Sequence, residues 1–518
     1  MSNSKITDVE HLLKIIADLP EGCTVAATGS GGGLVEPDEA MSLFEAAFLK
    51  AGTPRNMTFV HALGMGDGVE RGTNRFAHEG MVRRVIGGHW TWSPRMLAMV
   101  RSGAIEAYAW PSGAIVHLLR EIGAGRPGLI TKVGLGTYVD PRATGGRASS
   151  SATEDLIEVI EIGGEEYLRY LPFSVDVGIV RGTYADQYGN IYSSEEAADL
   201  DGYEIALAAH NSGGRVIAQV REIRDAAELR AREVLIPGQL VDNILVAPGQ
   251  WQTYLRGYDA FYSGLRKGKP EGAVAQITDP ARLIVARRAA MELQRGGVLN
   301  FGFGMSADVA GLLDQLPHAD EFWRTVEQGL HNGQLLGGNL FGISAGPTAI
   351  VSSAQQFDFY SGKGLDQTYL GMGEFDEKGC VNVSHLAGRL SGPGGFIDIS
   401  QGAKEVIFCG RFNAKGTALR LSDGKLCIDH EGSIRKAVDS VHTVTFSGGE
   451  AVKRGQRVLY ITERAVFQLT PEGVELIEVA QGLDLERDVL AQMGFSPLIK
   501  APGVMPAECF VSSSQKEI

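Results

Sequence analysis

The sequence predicts an α/β fold of two similar domains with mostly parallel sheets, and three observations predict it. Short apolar, β-branched runs stop at glycine turns and pass into helical patterns, the succession that builds parallel strands with crossover helices. The same order of motifs returns in the second half of the chain. At 518 residues the chain is also too long for a single core.

Element by element, Thr7-Asp8-Val9-Glu10 has the form of a capping box, and Val9, Leu12, Leu13 and Ile16 follow at helical spacing. Thr24-Val25-Ala26-Ala27-Thr28 reads as a buried strand closed by Gly29-Ser30-Gly31-Gly32-Gly33, after which Met41, Phe44, Ala47 and Phe48 mark a helix. That turn has no Gly-Lys-Ser/Thr ending and no GxGxxG followed by a suitable acid, which excludes an NTPase and a dinucleotide dehydrogenase. Further on, Phe322-Trp323-Arg324-Thr325-Val326 reads as a strand delivering Glu327 to the rim of a sheet, with Gly329 just beyond. Ser391-Gly392-Pro393-Gly394-Gly395 is a glycine turn whose bare N–H groups can approach a ligand, with a strand expected over Phe396-Ile397-Asp398-Ile399. A carboxylate facing backbone donors is what nucleophilic acyl transfer needs. The bland alternative is a solvated edge charge beside an ordinary turn.

The internal echo runs in one order. Pro20–Val25 leading into Gly29-Ser30-Gly31 is answered by Arg295–Asn300 leading into Gly302-Phe303-Gly304. Asp176–Val180 before Asp186-Gln187-Tyr188-Gly189-Asn190 is answered by Asp366–Leu370 before Asp376–Asn382, and Arg215–Val220 by Glu405–Cys409. Duplicated α/β halves explain this, the period being far too long for a solenoid. The join is expected in Leu265–Gly272, rich in charge, Gly and Pro, giving domains 1–272 and 273–518, the second carrying Glu327. Asp279 as N-cap and Pro280 at the first helical position then open a new helix. The cleft between the halves, at the carboxyl ends of strands, is the expected ligand site.

Composition narrows the function. The chain is 44% hydrophobic and 21% charged, ordinary for a globular protein, with no run long enough for a membrane span. A net charge of -14 argues against nucleic-acid binding. Five scattered cysteines without metal-type spacing, and a polar start without a signal-like apolar segment, lead to the expectation of a cytoplasmic protein with reduced thiols and no metal. His78-Glu79 and His89 do not form an HExxH pattern, and His89-Trp90 reads as packing or pocket wall.

With these residues in view, the chain resembles the class I coenzyme A transferases of the fused acetate/propionate type. The resemblance spans about Thr7 to Val504 and is carried by Thr53-Pro54-Arg55-Asn56, Gly87-Gly88-His89-Trp90 and Gly134–Arg142. Gln356–Tyr360, Gly394–Ser400 and Tyr460–Phe467 complete it. It implies a NagB/RpiA/CoA-transferase-like fold and a ping-pong exchange between an acyl-CoA and a free carboxylic acid. Glu327 would be the nucleophile, forming an acyl–glutamyl anhydride and then a glutamyl–CoA thioester, with Gly394 as oxyanion donor. Gly395, Gly29, Gly31 and Lys363 would contact substrate or CoA. No cofactor beyond CoA as substrate and covalent intermediate, and a homodimer or homotetramer, are implied. Two departures stand out. Relatives place a Gly-Pro-Ile-Gly-Gly-like segment where this chain has Gly329-Leu330-His331-Asn332-Gly333, and a Pro-Gln-Gly where it has Pro111-Ser112-Gly113. Ser112 offers one shorter donor, so a water bridges the gap or a side chain such as His331 or Asn332 supplies the lost contact; the bland reading is a loop drifted without consequence, the sharper one a pocket remodelled for a larger or more polar acid. An acyl-CoA hydrolase and a non-catalytic CoA-binding sensor are the rival functions.

Overall fold

The structure, a computed structural model, describes residues 5–268, 276–386 and 388–511. It divides into two compact units. The first is Met1–Pro270 with Glu327–Asp358 and Leu390–Asp398; the second is Glu271–Val326 with Phe359–Arg389 and Ile399–Ile518. The expected boundary at 272/273 lies outside the described residues. One feature departs from the expected halves: Glu327 and the segment after it belong to the first unit. The reason is backbone pairing. Ser353 N–H donates to Leu200 O at 2.8 Å and Gly346 N–H to Phe261 O at 2.8 Å, tying this segment to the first unit's chain.

The first unit is built on seven parallel strands in the order Asn243–Val246, Arg215–Val220, Val177–Arg181, Thr24–Ala27, Met57–His61, Val82–Gly87, Glu106–Ala109. Buried at nearly every position, these strands read as continuous apolar runs, as parallel strands covered on both faces do. In the second unit Trp323–Thr325, Val298–Phe301, Gln367–Gly371, Glu405–Cys409 and Arg457–Ile461 lie parallel in that order. Antiparallel Ala465–Thr470 and Gly473–Val479 extend the sheet.

The echo seen in the sequence is thus an echo of topology. In each unit the strand leading into the first glycine turn pairs on one side with its successor and on the other with the strand following the Asp176 or Asp366 motif. Those two aspartates do the same work. Asp176 Oδ2 accepts from Thr24 N–H at 2.7 Å, and Asp366 Oδ2 from Val298 N–H at 2.8 Å. Likewise Asp186 Oδ1 accepts from the N–H of Tyr188 and Asn190, as Asp376 Oδ1 does from Lys378 and Cys380. Each is an Asx-type turn that fixes a loop locally.

Two local expectations shift. The first helix, Val9–Ala17, is capped by Asp8, whose carboxylate accepts from His11 N–H at 2.8 Å, rather than by Thr7. Phe396–Gly402 is a helix rather than a strand. Its two isoleucines favoured an extended reading, but the Pro393–Gly395 turn closes on itself, with Phe396 N–H donating to Pro393 O at 3.0 Å, and starts a helical turn. Asp279 caps the helix Pro280–Ala290 as expected, accepting from Arg282 N–H at 2.9 Å. Among the described residues no helix is long and apolar enough to cross a membrane.

Candidate active site

The carboxyl ends of the first unit's parallel strands carry the candidate site. Thr24–Ala27 runs into the Gly29–Gly33 loop, Met57–His61 into Ala62-Leu63-Gly64, Val82–Gly87 into Gly88-His89, and Glu106–Ala109 into the helix Ser112–Gly123. Two later segments close over these ends. One brings Glu327 and Gln328, the other the turn Gly392–Gly395. The turn is bolted to the strand ends: Gly394 N–H donates to Gly88 O at 3.0 Å, Trp90 N–H to Ser391 O at 2.9 Å and Ser112 N–H to Gly394 O at 2.9 Å. A side chain at Gly392 would meet Gly88 O at 2.3 Å, so the close approach requires glycine.

Glu327 lies two residues past the strand Trp323–Thr325 and is partly accessible. Desolvation pushes its carboxyl up to about 7, opposed by the Gln328 amide and the Gly395 N–H, both of which donate to it. Gln328 Nε2 lies 3.4 Å from Glu327 Oε1 and 3.5 Å from Ser30 Oγ. A carboxylate that is weakly solvated, held by one backbone donor and still reachable is poised to react rather than to solvate a surface.

Residues 9–247 match the Coenzyme A transferase family. Over 508 residues the chain is 43% identical to the caffeate CoA-transferase of Acetobacterium woodii, covering 96% of this chain and 95% of that one. It is 38% identical to the acetate CoA-transferase YdiF of Escherichia coli K12, over 93% and 91% of the two chains. The chain belongs to the coenzyme A transferase family. Its fold agrees: the crystal structure of the YdiF apoenzyme from Escherichia coli O157:H7 superposes with a TM-score of 0.92 at 36% identity, covering 98% and 96% of the chains. A YdiF thioester complex with CoA superposes with a TM-score of 0.91. The protein is therefore a CoA-transferase, moving CoA between an acyl-CoA and a carboxylic acid.

Within this CoA-transferase the expected site residues fall into three groups. Glu327, Gly394, Gly395, Ser112 and the Gly29–Gly33 loop come together. The backbone N–H that reaches Glu327, however, belongs to the residue after Gly394. Gly394 spends its N–H on Gly88 O, and Gly395 is the amide that reaches the carboxyl of Glu327. Ser112 is fully buried and its hydroxyl donates to Ala62 O at 2.7 Å, so it ties two strand ends together instead of replacing a glutamine amide. Gly29 and Gly31 are explained by protein neighbours: added Cβ atoms would meet Glu36 Cγ at 2.6 Å and the Trp92 indole at 2.1 Å. In a second group, His331 and Asn332 stand half-buried on a hairpin, Leu330–His331 pairing with Ala349–Ile350. Asn332 Nδ2 donates to Thr348 Oγ1 at 2.9 Å, and burial holds the His331 imidazole below its ordinary value. Lys363 forms the third group: it is exposed in the turn after the helix Ser353–Ser361 and belongs to the second unit.

Sequence reasoning missed Gln328 and Asp398. Gln328 carried a signal, being a polar side chain next to the candidate nucleophile. Its Oε1 is buried without a hydrogen-bond partner in the protein, an acceptor left open beside Glu327. Asp398 was placed on a strand and its side chain left unread. The wall reading of His89 fits the geometry: a Cβ on Gly64 would overlap its ring, and one on Gly394 would sit 3.3 Å from its Cδ2. Burial pushes His89 and the neighbouring His61 down to about 4, so both rings are neutral at pH 7.

Proposed function

We propose that Glu327 carries CoA covalently in a ping-pong transfer. The observation that supports this is the Gly395 N–H directed at a desolvated yet reachable carboxyl. A Glu327 oxygen attacks the thioester carbonyl of an acyl-CoA; the tetrahedral oxyanion collapses, the C–S bond breaks, and CoA leaves as thiolate with an acyl–glutamyl anhydride behind it. The thiolate then attacks the glutamyl carbonyl, the first acid departs as carboxylate, and a glutamyl–CoA thioester remains. A second carboxylate runs the sequence backwards. No step consumes a proton or ATP, because the activation is passed from the substrate thioester to an anhydride and on to an enzyme thioester close in energy to the first. The Gly395 N–H and the Gln328 amide are the donors for the negative oxygen that builds at each addition, donors of a kind worth about 3–4 kcal/mol each. The CoA tail supplies binding energy away from the reacting carbon and offsets the desolvation of the carboxylates.

For the acid, the reading is one larger or more polar than acetate. The similarity to a caffeate CoA-transferase supports it, as does the sequence His331-Asn332 where other relatives carry a small segment. Assembly as a homo-oligomer and a cytoplasmic location are carried from the resemblance. The test is product analysis across a panel of acids with acetyl-CoA as donor. Transfer predicts new acyl-CoA in proportion to acetate released and no free CoA without an acceptor. Stoichiometric free CoA without any acid points to the hydrolase instead. Equal rates on acetate, hydroxy acids and aromatic acids contradict the remodelled pocket.

A further inference from the structure

We infer that Asp398 is a positioning residue for the transfer: its carboxyl pins the first turn of the helix Ser112–Gly123 and thereby holds the glycine turn that brings the Gly395 N–H to Glu327. The inference rests on Glu327 being the residue that carries CoA.

The helix Ser112–Gly123 starts with unsatisfied N–H groups and has Pro111 at its N-cap, which offers no side-chain acceptor. Asp398, 1% exposed, fills that role from a distant part of the chain. Its Oδ2 accepts from Gly113 N–H at 3.1 Å, and Ala114 N–H donates to the same carboxyl. The fit depends on position 113 being glycine, since a Cβ there would lie 2.5 Å from Asp398 Oδ1 and 2.7 Å from the Phe357 ring. Between this clamp and the Gly88–Gly394 and Ser112–Gly394 hydrogen bonds, the turn is held at both ends. Asp398 stands three residues after Gly395, so displacing its carboxyl displaces the amide at the reacting centre. Such a misplacement costs rate without weakening substrate binding in proportion.

Asp398 also shares its surroundings with charge. Burial pushes its carboxyl up to about 8, the helix N–H groups pull it down, and Glu327 pushes it up again. Tyr170, fully buried, also faces it. Glu327 thus stands beside a second raised carboxyl, and ionising Asp398 at alkaline pH sets a further negative charge against it.

The test mixes the full-length enzyme with acetyl-CoA alone and follows CoA-adduct formation by intact mass in single turnovers from pH 6 to 9.5. It compares wild type, Asp398→Asn and Asp398→Ala, with steady-state kcat and KM for each. Asn keeps an acceptor for the two N–H groups and cannot ionise. The expected result is Asp398→Asn within about threefold of wild type at pH 7, without the wild-type decline above pH 8. Asp398→Ala is expected at least about tenfold lower in kcat with KM for acetyl-CoA within about twofold. An Ala variant as fast as wild type overturns the inference, as does an Asn variant that retains the alkaline decline. Should the Ala protein fail to fold, the pH profile of the Asn protein decides alone. Failure of the underlying reading looks different: wild type then forms no adduct, or forms it on another residue.

Discussion

At the level of single residues, the strand-end position of Glu327 reads equally as a solvated edge charge, and its proposed role as nucleophile comes from the family resemblance. Its environment was not legible, because burial and a donated N–H come from segments far away in sequence. The raised carboxyl gives a prediction. If the proposed nucleophile acts as the anion, kcat/KM for the acyl-CoA should fall about tenfold per unit as pH drops below about 7 and level off above it, before Asp398 intervenes. A flat profile from pH 5 to 8 would contradict a desolvated nucleophile. Gly394 supports a second. At φ +54° with His89 Cδ2 3.3 Å from an added Cβ, Gly394→Ala strains the turn by about 1 kcal/mol. It should lower Tm by a few degrees while cutting the transfer rate by about tenfold or more. An unchanged rate would mean the turn does not position the donor. Which of two adjacent glycines turns its N–H to Glu327 is what sequence cannot give: the two groups point differently, and only the pairing of Gly394 with Gly88 decides between them.

At the level of elements, apolar runs and glycine punctuation marked Thr24–Thr28 and Phe322–Val326, the internal echo marked the segments of Val177–Arg181, Arg215–Val220, Val298–Phe301, Gln367–Gly371 and Glu405–Cys409, and Phe396–Gly402 is a helix where a strand is expected. Ile397 and Ile399 favour extended backbone locally, but the turn before them and the Asp398 clamp favour a helix, and tertiary contact wins. Ser112 illustrates the converse. Its type looked like a weakened catalytic amide, yet the hydroxyl bonds Ala62 O in the core. Ser112→Ala should therefore cost stability of about 1 kcal/mol by leaving that carbonyl unpaired, with little change in substrate preference; a shifted acid preference in the panel would restore its role in the pocket. The helix Gly202–Asn211 carries an acid with no such function. Glu204 is buried in its first turn, its Oε2 lacks a partner, and burial together with Asp201 pushes its carboxyl up to about 7. A carboxyl raised in the folded state stabilises fully below its unfolded value, and that contribution is lost as pH rises through the folded one. Glu204→Gln should therefore gain in Tm on the wild type between pH 5 and pH 8. A Tm difference independent of pH would contradict the raised value.

At the level of the whole molecule, the repeated motifs were the most informative part of the sequence, because each fixes a strand start and a loop in the same way in both units. Asp176 and Asp366 cap their neighbouring strands within 0.1 Å of the same distance, and Asp186 and Asp376 close matching loops. What repeats cannot disclose is chain crossing. The path leaves the second unit at Val326 and returns to it at Phe359, so Glu327, the proposed nucleophile, belongs to the first unit on a segment that the sequence assigns to the second half. The two sheets are thus alike in topology while the first unit holds Glu327, the glycine turn and the strand-end loops.

One measurement bears most directly on the transfer chemistry: incubation with acetyl-CoA alone, followed by peptide mass mapping of the trapped enzyme. A CoA-sized mass on the peptide containing Glu327, absent from Glu327→Gln together with a loss of turnover of about four orders of magnitude, is the predicted result. Full turnover by Glu327→Gln, or CoA found on a cysteine such as Cys380, would contradict it.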